Sequence, residues 1–310
     1  MAKRIAIFAE RPGWHVEQLA RPLAAAGAEG ICVPLKACRF DVDHLPTRMW
    51  IPGFGGSRPD GAIVRSISAG SFEQVTLRLG LLHALRELGV PVCNDARAIE
   101  RCVDKSTTTF MLWRAGIRTP PTWVCESPEQ AQMIARREIG AGHALVLKPL
   151  FGAQGRGLQF VDDVARLPDP NLIAGVYYLQ RYVDRGAGVF RDWRVLVVGG
   201  RAVAAMIRHG TGWITNVGQG ARCEGTQVDD ELGAMASAAA AAVGADLAGV
   251  DIVRDVNGAF HVLEVNSMPS WQGLQGVSTI NLGREIADYF LARLTAADRR
   301  SASVPLAGAG

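Results

Sequence analysis

Charge of either sign is scarce in excess: 33 Lys and Arg stand against 30 Asp and Glu, a formal net charge of +3 in 310 residues. A dedicated nucleic-acid binder would carry a basic surplus, and a disordered chain would combine high net charge with few apolar residues. Apolar residues reach 48%, ordinary for a globular protein with a large core. Cysteine is thinly spread over Cys32, Cys38, Cys93, Cys102, Cys125 and Cys223. No pair is spaced Cys-x-x-Cys, so a structural zinc site has no support, and the dense spacing of a secreted disulfide scaffold is missing. No run approaches the roughly 18 apolar residues of a membrane span; the Ala-rich stretch near 236–243 is too short. Glu10 and Arg11 come too early for a signal-peptide apolar region. No internal repeat is found. These absences predict a soluble protein of a reducing cytoplasm, without DNA or membrane partners. At about 150 residues per domain, the length suits two domains.

What is present is an alternation of strands and helices. Ile5–Phe8, a helix over His15–Ala26 stopped by Gly27, and a strand at Gly30–Pro34 form a β-α-β opening that predicts a parallel sheet. Ala62–Val64, the polar loop 65–70, a helix over Phe72–Leu88 and a strand at Val90–Cys93 extend it. Asp104 can cap a helix over Lys105–Ala115, closed by Gly116. From His143 onward the pattern changes to strand pairs around Gly turns: Ala144–Pro149 with Leu158–Val161, Trp193–Val198 with Arg201–Arg208, and Leu247–Val253 with Ala259–Val265. A helix over Asp229–Val243 stands between them. The boundaries read are 1–98 for an N-terminal α/β domain, 99–180 and 181–296 for two α+β parts, and 297–310 for a disordered tail.

Asn257-Gly258 is a strong type I′ hairpin signal. With that turn, Val256 pairs with Ala259, and counting outward sets Asp251 opposite Glu264. Opposed like charges need a cation between them or a raised pKa. Asn266, two residues on, shares the face of Glu264. Asp, Glu and Asn offer only hard oxygens, which suit Mg²⁺ or Mn²⁺ rather than zinc.

Lys148 ends an apolar strand and precedes a loop containing Gly152, Gln154, Gly155 and Gly157. The loop leads into a strand, so it is not a P-loop, yet its backbone N–H groups can surround phosphate oxygens. Lys105 at a helix start opposes the helix dipole, which a bound anion would offset; an exposed side chain pointing away is the alternative. Asp192 and Arg194 share one strand face. A two-residue turn at Gly199-Gly200 would put Arg194 and Arg208 on opposite faces unless a bulge intervenes. Trp213-Ile-Thr-Asn216 follows in a polar, Gly-rich segment.

In order and spacing these elements resemble the ATP-grasp superfamily, specifically its RimK-like amino-acid ligases. The motifs are Asp104-Lys105, the glycine loop after Lys148, Leu179-Gln180-Arg181-Tyr182-Val183, Asp192-x-Arg194, Asn216, Gly249-Val-Asp251-Ile and Leu263-Glu-Val-Asn266-Ser-Met-Pro269. The resemblance implies an α/β ATP-grasp fold: a small N-terminal α/β domain and two α+β subdomains clasping ATP. It implies that Lys105, Lys148, Gly152, Gln154, Gly155, Gly157 and Asp192 serve ATP binding, and that Gln180, Arg181, Tyr182 and Val183 form the hinge that meets adenine, largely through backbone. Position 181 is Arg where such ligases usually have Glu, a change that a backbone contact survives. It further implies that Asp251, Glu264 and Asn266 hold Mg²⁺ (or Mn²⁺), that Arg194, Arg208 and Asn216 are catalytic, and that Arg65 meets the acceptor.

The expected reaction is ATP-dependent joining of an amine to a carboxylate through an acyl phosphate, releasing ADP. Such chemistry needs no protein nucleophile, in keeping with the lack of a Ser-His-Asp or Cys-His arrangement. Trp213-Ile-Thr-Asn-Val followed by Gly220-Ala resembles the glutamate ligases of tetrahydromethanopterin and deazaflavin synthesis more than those modifying a ribosomal protein. The expected partners are ATP, an amino acid (glutamate) and a carboxylate-bearing small molecule, with a homo-oligomer left open. Two alternatives stand: a ligase acting on a protein C-terminus, such as that of a ribosomal protein, and a silent ATP-binding module.

Overall fold

The computed structural model describes residues 2–152 and 155–303. The chain divides into two compact units, the first formed by residues 1–97, 268–275 and 279–310, the second by 98–267 and 276–278. Among the described residues no helix is long and apolar enough to cross a membrane.

The first unit begins with β1 (Lys3–Phe8), α1 (Trp14–Ala25) and β2 (Ala28–Val33). Gly27, at φ +77°, makes the tight turn that lets the helix feed the second strand. A short pair follows, β3 (Arg39–Phe40) with β4 (Met49–Trp50), then β5 (Gly61–Val64), α2 (Phe72–Glu87) and β6 (Val92–Cys93). Ser71 and Gln74 form a reciprocal capping box at the start of α2, which fixes its first turn. The sheet is parallel, in the order β2-β1-β5-β6. The strand order reverses between β1 and β5. The loops leaving their carboxyl ends therefore diverge there, the usual place for a ligand in an open α/β sheet.

The chain enters the second unit within α3 (Ala96–Val103) and continues through α4 (Lys105–Arg114), β7 (Thr122–Cys125), α5 (Pro128–Gly140), β8 (Leu145–Lys148), β9 (Gln159–Val161) and β10 (Tyr177–Arg181). Strands β7-β10-β8-β9 form an antiparallel sheet. Leu145, Leu147, Tyr177 and Leu179 pack on one face against Ala131, Ile134 and Ala135 of α5. Alternation then puts Val146, Lys148, Tyr178 and Gln180 on the other face. Sequence periodicity did not point to α5, but Ser127 caps it and Pro128 opens it.

A second antiparallel sheet follows, ordered β13-β12-β11-β14-β15. Its strands are β11 (Arg191–Val198), β12 (Arg201–His209), β13 (Arg222–Thr226), β14 (Leu247–Arg254) and β15 (Phe260–Asn266), with α6 (Asp230–Val243) between β13 and β14. One face carries Trp193, Val195, Val197, Val250, Ile252, Val262 and Val265 against Leu232, Ala236, Ala239, Ala240 and Val243 of α6. The small alanines bring that helix close to the sheet. The read boundary at 180/181 falls where the chain passes from the first of these sheets to the second.

The remaining elements, α7 (Gln272–Gln275) and α8 (Leu282–Ser303), belong to the first unit. This corrects two expectations. Residues 282–296 are not part of the metal-bearing portion, and no disordered tail begins at 297: α8 runs to Ser303, and 304–310 lie outside the described residues. The cause is an apolar stripe. Leu282, Ile286, Ala287, Phe290 and Leu294 are buried, and α8 packs against α1. Gly61 of β5 sits so close that a Cβ there would lie 2.7 Å from Phe290 and Leu294.

Candidate active site

The second unit holds a cavity of about 970 Å³, counting space open to solvent, at the upper end of the roughly 300–1,000 Å³ usual for small-molecule sites. Fifteen of the residues singled out from the sequence line it: Lys105, Lys148, Gly152, Gly155, Gln180, Arg181, Tyr182, Val183, Asp192, Arg194, Arg208, Asn216, Asp251, Glu264 and Asn266. Gly157 does not line it. Its left-handed backbone (φ +74°) and its closeness to Pro149 (2.8 Å from a built Cβ) give it a role in shaping the loop. Gln154 lies outside the described residues. Arg65 lies in the first unit.

The acidic side is built by β14 and β15, and its register differs in detail from the turn-based expectation. Arg254 pairs with Phe260 and Ile252 with Val262, so the loop carries one more residue than a two-residue turn. A bulge at Leu263 then restores the count, and Asp251 stands opposite Glu264 as expected. The bulge also decides the face. Phe260 and Val262 point to the core, and strict alternation would send Glu264 there as well; the extra residue puts Val265 in the core instead. Glu264 and Asn266 thereby line the cavity.

The basic side depends on a second bulge. Val198 pairs with Arg201 across Gly199-Gly200, but the register shifts between Leu196 and Val197. Arg208 consequently pairs with Asp192 and shares a face with Arg194. The result is a buried ladder of alternating charge. Arg208 donates to both Asp192 oxygens at 2.7 and 2.5 Å, and its Nη2 lies 3.1 Å from Asp251. Arg194 grips Asp251 with Nε and, at 2.9 Å, with Nη2. Burial alone would push the Asp251 carboxyl up, but the Arg194 and Arg208 guanidiniums hold it below the usual carboxylate range. Burial likewise opposes the Arg208 charge, and Asp251 and Asp192 more than restore it. Asp192, expected to serve ATP binding, is paired with Arg208.

Lys105 resolves the alternatives left by the sequence. It is buried at the start of α4 and donates to the Gly152 carbonyl at 2.8 Å, so it belongs to the glycine loop and not to solvent. Asp104 caps the same helix through the N–H groups of Ser106 and Thr107. Lys148 is 9% exposed and donates to Gln180 Oε1 at 2.6 Å. Desolvation lowers its pKa to about 8, with Lys105 acting in the same direction and Glu264 and Asp251 against it. The Gln180 amide is oriented in turn by donating to Thr122 Oγ1 (3.0 Å) and Tyr178 Oη (3.3 Å). Its side chain thus presents an acceptor to Lys148. Arg181, the departure in the hinge, turns its guanidinium to Glu138 of α5, with contacts of 3.1 and 2.6 Å. Its side chain ties the sheet to α5, and the residue lines the cavity.

Among the described residues no group of three or more His, Cys, Asp or Glu stands together as a metal cluster. The oxygen set is mixed. No described hydrogen bond or ion pair engages the Glu264 carboxylate, and Asn266 spends only its Nδ2, on the Gly249 carbonyl at 3.4 Å. Glu264 and Asn266 therefore offer hard oxygens that fit Mg²⁺, whereas both Asp251 oxygens already meet Arg194. Sequence reading missed Arg156, Arg185, Trp213 and Thr215 as lining residues. Trp213 and Thr215 flank the Asn216 it did select; Arg185 lies in a Gly-rich connection whose only signal is a cation among glycines.

The model of the RimK-like ATP-grasp domain matches residues 102–290. The chain belongs to this family. It is an ATP-grasp ligase, forming C–N bonds with release of ADP. The tetrahydromethanopterin:alpha-L-glutamate ligase of Methanococcus maripaludis is 36% identical over 236 residues, 74% of this chain and 78% of that protein. The probable alpha-L-glutamate ligase of Legionella pneumophila is 28% identical over 293 residues, 92% and 94% of the two chains. Among solved structures, the ATP-grasp ligase PsnB complexed with minimal precursor, Mg and ADP has a TM-score of 0.72 at 20% identity, covering 94% of this chain and 97% of its own. At that identity the likeness establishes the fold.

Proposed function

We propose that this ligase joins the amine of an amino acid, L-glutamate, to a carboxylate of a small acceptor in pterin-type or related cofactor synthesis. The names of the relatives just given support glutamate and the acceptor class. The observation that carries the reading is the convergence of Lys105, Lys148, Arg194 and Arg208 on one cavity whose lining includes no Ser, Cys or His. Such a wall neutralises phosphate charge, and positioning with charge neutralisation is what phosphoryl transfer asks of a protein.

In this reading an acceptor carboxylate oxygen attacks the γ-phosphorus of ATP, the bond to the β-phosphate oxygen breaks, and ADP leaves. The amine then attacks the acyl carbon, phosphate departs and the ammonium loses its proton. Lys105 and Lys148 balance the ATP phosphates, and Tyr182 and Val183 present the hinge backbone to adenine. Arg194, Arg208 and Asn216 meet the charge of the acyl phosphate, Arg208 being held in place by Asp192. Glu264 and Asn266 would hold Mg²⁺ (or Mn²⁺), which when bound neutralises further phosphate charge; Asp251, expected with them, is engaged by Arg194 and Arg208.

Arg65 is assigned to an anionic group of the acceptor. It leaves the carboxyl end of β5, at the switch point of the parallel sheet. Its side chain is 8% exposed, donates from Nη2 to the Pro269 carbonyl at 2.5 Å and stacks 4.4 Å from the Trp271 ring centre, while Nε and Nη1 have no hydrogen-bond partner among the described residues.

The test is hydroxylamine trapping. Acceptor, ATP and hydroxylamine together should yield the acceptor hydroxamate and ADP; omission of ATP should yield none. ADP formed at full rate without acceptor would indicate simple hydrolysis, and AMP with pyrophosphate would place the chemistry at the α-phosphate. Running the assay with a peptide in place of the small acceptor separates this reading from modification of a protein C-terminus.

A further inference from the structure

We infer that residues 213–220 form a strap along the cavity wall and that Arg185 pins it to the hinge, a positioning role that rests on the ATP reading above. Arg185 lies between β10 and β11, beside Gly186 and Gly188, both at positive φ. From Nη2 it donates to Tyr182 Oη at 3.0 Å and to the Trp213 carbonyl at 2.7 Å. Its guanidinium carbon stands 5.5 Å from the Tyr182 ring centre and 6.0 Å from that of Phe190. Among the described residues no carboxylate pairs with it, and its Nε is buried without a partner. A half-buried cation held only by neutral oxygens and ring faces is costly to place. Its position follows from what it ties together.

At its other end the strap is fastened to the glycine loop, where Gln219 Nε2 donates to the Gly155 carbonyl at 3.0 Å. Ile214 and Gln219 crowd the same glycine, at 3.0 and 2.9 Å from a built Cβ. Between the two fastenings Trp213, Ile214, Thr215 and Asn216 line the cavity. Phe160 backs the pinned end, 5.2 Å from Tyr182 and 5.8 Å from Trp213 between ring centres. Hinge, Arg185, strap and glycine loop thus make a continuous chain of contacts along the cavity wall. The contacts of Arg185 run to the hinge and the strap, and the role assigned to it is to position the strap.

Calorimetric ATP titration and amide hydrogen exchange of the full chain test this. Arg185→Met should raise the Kd for ATP about tenfold, the equivalent of one good buried hydrogen bond. Exchange should speed up in 213–220 while the strands of both sheets keep wild-type protection. Tyr182→Phe, which removes one acceptor and keeps the ring, should raise the Kd about threefold, and it keeps the test valid if Arg185→Met fails to fold. Wild-type affinity in both variants would overturn the pin, as would weakened binding with unchanged exchange in 213–220 or with faster exchange throughout the second unit. If the wild-type protein itself binds no ATP, the nucleotide reading fails, and that result is distinct from failure of the pin.

Discussion

Two hairpins of one sheet, β11–β12 and β14–β15, build the two sides of the candidate site, and they reach the same end by different turns. The first turns on Gly199-Gly200, both at positive φ, with Val198 directly paired to Arg201. The second was expected to do the same at Asn257-Gly258. There only Gly258 is left-handed, at φ +88°, while Asp255 and Ala259 close a three-residue loop. Each hairpin then carries one bulge. In the first it brings Arg208 to the face of Arg194; in the second it brings Glu264 and Asn266 to the face of Asp251. Both arginines of the basic hairpin are paired, Arg208 with Asp192 of its own hairpin and both with Asp251 of the other, whereas no described hydrogen bond or ion pair engages Glu264. One side of the site is held by ion pairs within the protein, and the other keeps a carboxylate open.

The largest test of that contrast removes Arg208. Arg208→Met leaves Asp192 and Asp251 buried with one guanidinium between them and should cost about 3–5 kcal/mol of stability, read by urea denaturation. Arg194→Met, which leaves Asp251 its Arg208 contact, should cost clearly less. Equal losses would remove the distinction between a fixing and a working arginine. On the acidic side, Glu264→Gln should lower turnover by roughly 10²–10³ with no loss of stability, since no described partner is removed; turnover at the wild-type rate would end the assignment of Glu264 to the charge balance.

Lys148 sharpens the comparison through pH. Its pKa is lowered to about 8, so the free protein loses this positive charge as pH rises through that value. kcat/KM for ATP should fall above pH 8, by up to about tenfold per unit. Lys148→Arg should remove that alkaline limb within the accessible range. The smallest effect separates the turns themselves. Gly258→Ala should cost about 1 kcal/mol, because a left-handed position is strained by a Cβ. Asn257→Ala should be nearly neutral, because that residue is not left-handed here. Gly199→Ala and Gly200→Ala should each cost about as much as Gly258→Ala. An Asn257 cost equal to the Gly258 cost in thermal melts would restore the two-residue turn.

Legibility followed locality. Helix starts and stops were readable because Asp104 and Gly27 act on backbone within a few residues of themselves. The Asp251–Glu264 pairing was reached through a turn with one residue too few, and it held because the Leu263 bulge supplied the missing residue. That agreement is an accident of two cancelling offsets. The hinge segment was found at the cavity, but Gln180 and Arg181 took side-chain partners, Lys148 and Glu138, that lie 32 and 43 residues away. Helix α8 went unread although its apolar residues recur at helical spacing; what they meet, α1 and Gly61 of β5, lies more than 200 positions earlier.

By themselves, then, the residues of this chain determined its family, the two-residue spacing of Glu264 and Asn266, the shared face of Asp192 and Arg194, and most strands and helices. Those features depend on backbone period, on glycine's access to positive φ and on caps that close within one turn. Only the tertiary structure decided which face of each hairpin meets the cavity, that Asp251 is held by Arg194, and that Arg185 lies at the wall. A bulge needs no special residue, as Leu263 shows, so nothing in the sequence announces it. An ion pair between residues 57 positions apart forms only when packing of the whole sheet has set their register.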